Sequence, residues 1–265
     1  MLYCDTHAHI DFDNFDADRQ EVINKAKDAG LGFIINIGID IETSQKSVNL
    51  VDEYPGFIYA AVGVHPNYSS NFSHEQVSKL EILAEHAGVV AIGEVGLDFY
   101  RDYATPGEQK KALSAQLELA ERLVLPIVVH ERASAHELAP LLTRWQSELP
   151  IESAIKDRPG VMHAYSGSLE FVPELLSAGF YFGIGGPVTY KNAAEKRELV
   201  RMLPIERILL ETDCPFMPPQ AHRGKRNEPA FIPLIAQKIA EIRGVSDDEL
   251  GEQLTSNARR LFQIA

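Results

Sequence analysis

Short runs of apolar and β-branched residues recur at 2–5, 32–37, 57–62, 89–94, 126–130, 161–163, 181–185 and 208–211. Between them lie longer polar segments, at 16–29, 41–53, 74–86, 106–123, 135–149, 169–178 and 193–203, in which apolar residues return every three or four positions. The short runs predict strands and the periodic segments predict helices. Gly30, Gly88 and Gly179 each fall after a periodic segment and before a strand. A residue without a Cβ can turn left-handed there and end a helix. A Pro-rich loop at 215–219, a helix over about 230–243 and an amphipathic segment over 247–262 follow the eighth run.

Eight such units predict a parallel sheet with intervening helices, either closed into a barrel or open and doubly wound. An open sheet of that kind usually carries a Gly-rich phosphate fingerprint after its first strand, and Asp-Thr-His-Ala-His stands there instead. The expectation is an α/β (β/α)8 TIM barrel with an extra C-terminal helix. No Ser/Gly-rich linker or compositional break divides the chain, so residues 1–265 are expected to form one domain.

Composition narrows the class. With 45% apolar and 24% charged residues over 265 positions, disorder, collagen and coiled coil are excluded. Two cysteines, Cys4 and Cys214, give no disulfide framework, and buried, reduced thiols are expected. The first residues place Asp5, His7, His9 and Asp11 where an export signal would be basic and then apolar, and no apolar run approaches the roughly 20 residues of a membrane span. A cytoplasmic protein with no membrane association is expected. Lys and Arg number 25 against 38 Asp and Glu, a net charge of −13. That excludes a broad basic footprint for duplex nucleic acid. A polyanionic substrate would need local positive charge, and bound metal ions are its most economical source.

The residues that end the apolar runs change the picture most. His7 and His9 end the first, His65 follows the third, Glu94 the fourth, His130 the fifth, His163 the sixth and Asp213 the eighth. In a barrel all C-terminal strand ends meet at one mouth, where barrel enzymes carry their active sites. Five of the nine histidines occupy such ends. His7 and His9, two apart in an extended segment, leave the same face and can grip one ion. Any one of these histidines alone could be a hydrogen-bonded core residue; the set points to metal. Neutral imidazoles with carboxylates suit Zn²⁺, Mn²⁺, Fe²⁺ or Mg²⁺. Six candidate ligands, His7, His9, Glu94, His130, His163 and Asp213, exceed the needs of one tetrahedral ion with an open position, so two divalent ions are expected, with Glu94 as the bridging carboxylate.

These residues sit in segments that resemble the TatD family of metal-dependent deoxyribonucleases. The segments are Asp-Thr-His-Ala-His at 5–9, Gly-Val-His-Pro at 63–66, Ala-Ile-Gly-Glu-Val-Gly-Leu-Asp at 91–98, His130 with Arg132, His-Ala-Tyr-Ser-Gly at 163–167, Leu-Leu-Glu-Thr-Asp-Cys-Pro at 209–215, Arg-Asn-Glu-Pro at 226–229 and Ser-Asn-Ala at 256–258. The resemblance implies one metal on His7, His9, Glu94 and Asp213 and a second on Glu94, His130 and His163. It also implies a substrate or supporting role for His65. Two departures stand out: Ala133 replaces an acidic residue, and Ala164 and Tyr165 replace Cys and Phe.

The expected reaction is hydrolysis of a DNA phosphodiester by a metal-activated water, with Asp213 and Glu94 as catalytic carboxylates. Arg132 is a candidate two-pronged phosphate donor, and Arg226, in the basic stretch 223–228, a second phosphate contact. An acidic chain with a deep rim favours a single strand or frayed end, hence an exonuclease, and the resemblance to the TatD family implies the 3′-to-5′ direction. The sequence leaves two alternatives open: a metal-dependent hydrolase of an ester or amide, and a noncatalytic barrel that binds metal or nucleic acid.

Overall fold

The computed structural model describes residues 3–265. Leu2 of the first predicted strand and Met1 of the expected domain lie outside the described residues. Eight strands run in the order β1 (Tyr3–Ala8), β2 (Leu31–Ile37), β3 (Ile58–Val62), β4 (Val89–Asp98), β5 (Ile127–Arg132), β6 (Gly160–Met162), β7 (Tyr181–Ile184) and β8 (Ile208–Leu210). Each pairs in parallel with the next. The seam between first and last is drawn together by a bridge from Ala8 to Cys214, by the Asp213 amide donating to the His7 carbonyl at 2.8 Å, and by the His9 amide donating to the Cys214 carbonyl at 2.9 Å. The backbone bonds that close the barrel thus fix the segments carrying His7, His9 and Asp213.

Helices α1 (Arg19–Asp28), α2 (Ile41–Glu53), α3 (His74–Ala84), α4 (Pro106–Leu123), α5 (Ala135–Glu148), α6 (Val172–Ser177) and α7 (Ala194–Met202) fill the crossovers, and α8 (Ile232–Arg243) and α9 (Asp247–Phe262) follow β8. Two predicted boundaries match at both ends because their caps are local. Asp40 and Thr43 form a capping box on α2, and Thr105 and Glu108 form one on α4, with Pro106 at its first position. Gly30 and Gly179 adopt positive φ after α1 and α6 as expected. Gly88 does not: it is a site of close approach, where a Cβ would run into the Val51 side chain.

Two cores result. One packs the outer strand faces against the helices. The other gathers Cys4, Phe33, Ile35, Ala61, Val128, Val161, Tyr181 and Leu209 from successive strands with Leu261 and Phe262 of α9. This helix covers the N-terminal mouth, where Asn257 Nδ2 donates to the carbonyls of Ile205 (2.7 Å) and Ile208 (2.9 Å) at the start of β8. Asn257 is fully buried and its Oδ1 also accepts from Gln253 Nε2 at 2.9 Å, so Asn257→Ala should remove three bonds and strand the two carbonyls, a loss of about 2–3 kcal/mol. Urea unfolding should show it as a lower midpoint at unchanged slope.

Among the described residues no helix is long and apolar enough to cross a membrane. Cys4 and Cys214 are free and buried. Burial pushes the Cys4 thiol up to about 12 and the Cys214 thiol well above its usual value. The thiolate is the reactive form. A thiol reagent at pH 8 should therefore label neither cysteine until the protein is denatured.

Candidate metal centre

Each candidate ligand is delivered to the C-terminal mouth by the strand before it. His7 lies within β1, and His9 one residue past it. The His9 Nδ1 faces the Ile37 carbonyl at 2.9 Å. A carbonyl can only accept, so Nδ1 carries the proton and Nε2 keeps a lone pair. That nitrogen lies 3.2 Å from His7 Nε2. His163, just past β6, turns Nδ1 to Glu211 Oε1 at 3.3 Å, which leaves its Nε2 4.0 Å from both Glu94 Oε1 and Asp213 Oδ1.

Glu94, fully inside β4, divides the cluster between its two oxygens. Oε2 lies 3.5 Å from His7 Nε2 and 3.9 Å from His9 Nε2. Oε1 lies 2.8 Å from His130 Nδ1, 3.6 Å from His65 Nε2 and 4.0 Å from His163 Nε2. Asp213 Oδ1 completes the first group, at 3.5 Å from His9 and 3.8 Å from His7. Donors at about 2.0–2.2 Å from one tetrahedral ion stand roughly 3–4 Å apart, so these separations suit a cation. His7, His9 and Glu94 form one group able to hold an ion.

The geometric grouping also joins His65 to Glu94 and His130. The His65 ring argues against a ligand role. Its Nδ1 accepts the Asn67 amide at 3.0 Å, capping the turn that begins at Pro66. Nδ1 therefore holds the lone pair, and Nε2, on the side of Glu94 Oε1 at 3.6 Å, carries the proton.

Electrostatics follow from burial and neighbours. Burial pushes the His65 imidazole down to about 3. Burial also opposes charge on His130, but the bonds to Asp98 and Glu94 prevail and raise it to about 9. His163 rises against burial to about 10, through Glu211 and Asp213. Burial would raise Glu94, yet the imidazoles of His65, His130 and His7 hold it well below the ordinary carboxylate value. Asp213 is lowered in the same way, burial being overcome by His163, His9 and His7. Buried carboxylates kept ionised draw positive charge into the site.

Three carboxylates outside the expected set brace the candidate ligands. Glu211 is buried, accepts the Ala164 amide at 2.7 Å and orients His163. Asp98 faces His130 Nε2 at 3.2 Å, its other oxygen taking the amides of Tyr100 and Arg101 at 3.0 Å. Asp5 accepts from the amide and hydroxyl of Thr212 and from the His7 amide. Such carboxylates fix ring orientation and ligand basicity. The sequence carries their signal, since Glu211 precedes Asp213 by two and Asp98 ends the Glu94 stretch.

His9, Glu94, His130, His163 and Asp213 lie on the floor of a cleft of about 1070 Å³, which His65 and Arg132 also line. Arg226 is placed elsewhere. Its guanidinium donates to both oxygens of Asp18 (2.8 and 2.6 Å), to Glu228 (2.9 Å) and to the Asn14 carbonyl (2.6 Å). A fork so occupied ties the approach to α8 onto α1, and the phosphate contact expected of Arg226 is corrected accordingly.

The profile of a family described as TatD related DNase matches residues 4–263. A metal-dependent hydrolase of Bacillus subtilis, YabD, is 38% identical over all of both chains. A 3′-5′ ssDNA/RNA exonuclease of Erwinia billingiae is 39% identical over 94% of this chain and 95% of that protein. The crystal structure of a TatD homologue from Escherichia coli, YJJV, superposes with a TM-score of 0.90 at 34% identity, covering 100% of this chain and 99% of the other.

Proposed function

Because the chain belongs to the TatD family of metal-dependent hydrolases, we propose that it hydrolyses phosphodiester bonds of DNA, releasing nucleotides from the 3′ end of a single or frayed strand. The observation that carries this reading is the division of Glu94: one oxygen faces His7 and His9, the other His130, His65 and His163, at the floor of an open cleft. In this reading His7, His9, Glu94 and Asp213 hold one divalent ion, and Glu94, His130 and His163 a second. Bound there, two ions supply Lewis acidity, a water of lowered pKa and charge for the phosphoryl oxygens.

The chain's own groups do the rest. Asp213 turns Oδ1 toward His7 and His9, and its second oxygen takes the proton of the attacking water. The water oxygen bonds to phosphorus as the P–O3′ bond breaks, and the leaving O3′ takes a proton from solvent. His65 offers its Nε2–H to a nonbridging oxygen. Arg132, at the end of β5 and on the cleft wall, presents two parallel donors to the phosphate. The relatives described as ssDNA/RNA exonucleases support the substrate class.

The test is direct. Metal-stripped protein is incubated with single-stranded DNA labelled at either end, RNA, blunt duplex and small esters and amides, with Mg²⁺, Mn²⁺ or Zn²⁺ restored. Mononucleotides should leave the 3′ end of the single strand only when metal is present. Turnover of an ester or amide without nucleotide release under any metal would replace this reading with the rival hydrolase.

A further inference from the structure

The exposed aromatic rings of this acidic chain are gathered at one mouth of the barrel. Among the described residues they are Tyr68, Tyr100, Tyr103 and Phe216. Tyr68, Tyr103 and Phe216 are 50%, 62% and 51% exposed, and all three line the cleft above Glu94. Tyr100 lies beside it, with the Arg132 guanidinium 4.0 Å from its ring centre. A ring left in water forgoes the stabilisation of burial, and the fold's cores are complete without these four.

The rings are braced. Phe216 packs edge-on to Phe12 at 6.2 Å and His9 at 6.3 Å, and Phe12 stacks on His9 at 4.7 Å. Tyr68 packs edge-on to His65 at 6.3 Å. His9 and His65 both adjoin Glu94. Two lines of rings therefore run from the rim to the same carboxylate, one through the loops after β1 and β8, the other through the loop after β3. Cations share the cleft with them, since Arg101 and Arg132 also line it. On a chain of net charge −13, rings interleaved with guanidinium groups match a single strand, whose bases stack and whose backbone seeks positive charge.

We propose that Phe216 and Tyr68 are stacking platforms for the unpaired bases on either side of the bond to be cleaved, with Arg101 and Arg132 on the intervening backbone. The inference rests on the phosphodiester reading above and adds the form of the substrate. The bases must be unstacked, any base is accepted because each has a π face, and a paired end is refused until it frays.

The experiment uses the full, metal-loaded chain and two single strands differing only at the cleaved end, one with thymidines and one with abasic tetrahydrofuran nucleotides. Wild type should prefer the thymidine end by roughly 10- to 100-fold in kcat/KM, mostly through KM. Phe216→Ala and Tyr68→Ala should each shrink that ratio, and together bring it near unity. Phe216→Trp, which keeps a ring, should restore it. The platforms are refuted if wild type cuts both strands equally, or if the ratio survives in the double variant. If wild type cuts neither strand with any metal, the phosphodiester reading falls first and the platforms fall with it.

Discussion

Glu94→Gln is expected to lower kcat by about 10³-fold or more, and to release at least one equivalent of bound metal. The side chain keeps its length, so the change is chemical. An amide has one acceptor oxygen and one NH2, and the two sides of Glu94 face different imidazole groups, His7 and His9 on one, His130, His65 and His163 on the other. Whichever way the amide turns, one group meets a donor where it had a lone pair. The negative charge shared by both sides is lost as well. Losing several kcal/mol of transition-state stabilisation corresponds to a rate change of this order. Single-turnover assays give the rate, and elemental analysis of dialysed protein gives the metal content. Full metal content with wild-type kcat would remove Glu94 from the centre.

The sequence exposed the barrel more clearly than it exposed the reach of individual strands. Strands stand out as apolar runs, and a polar residue reads as the end of one. At Glu94 that rule misleads: β4 continues four residues further, to Asp98, with a register shift between Ile92 and Val95. The same holds for β5, which passes His130 to end at Arg132. In both cases the candidate ligand sits inside the strand, because a barrel mouth buries polar side chains that an open sheet edge would expose. The candidate ligands were legible because one of them, a histidine or a carboxylate, closes the apolar run in five of the eight strands. Their supporting carboxylates were less so, since Glu211 and Asp98 look like surface residues until a turn brings a ring nitrogen to them. Arg226 shows the opposite limit. A basic loop residue reads as a phosphate site, yet its partner Asp18 lies 208 positions away, and only the fold makes them neighbours.

Asp213→Asn should cost about 10²- to 10⁴-fold in kcat while the fold is retained. Asp213 has φ of 58°, in the left-handed region that β-carbon-bearing residues avoid. Asparagine is among the few that tolerate it, because its short polar side chain bonds locally. Alanine has no such relief, so Asp213→Ala should be less stable than Asp213→Asn by about 1 kcal/mol, read as a lower Tm. Both variants lose the carboxylate that takes the proton in the proposed reaction, a role worth the stated range in rate. Metal content then separates the two functions given to this side chain. If Asp213→Asn keeps both ions and loses turnover, the proton transfer dominates; if it loses one ion, ligation does. Wild-type turnover in either variant would show that the left-handed turn at the barrel seam serves the backbone alone.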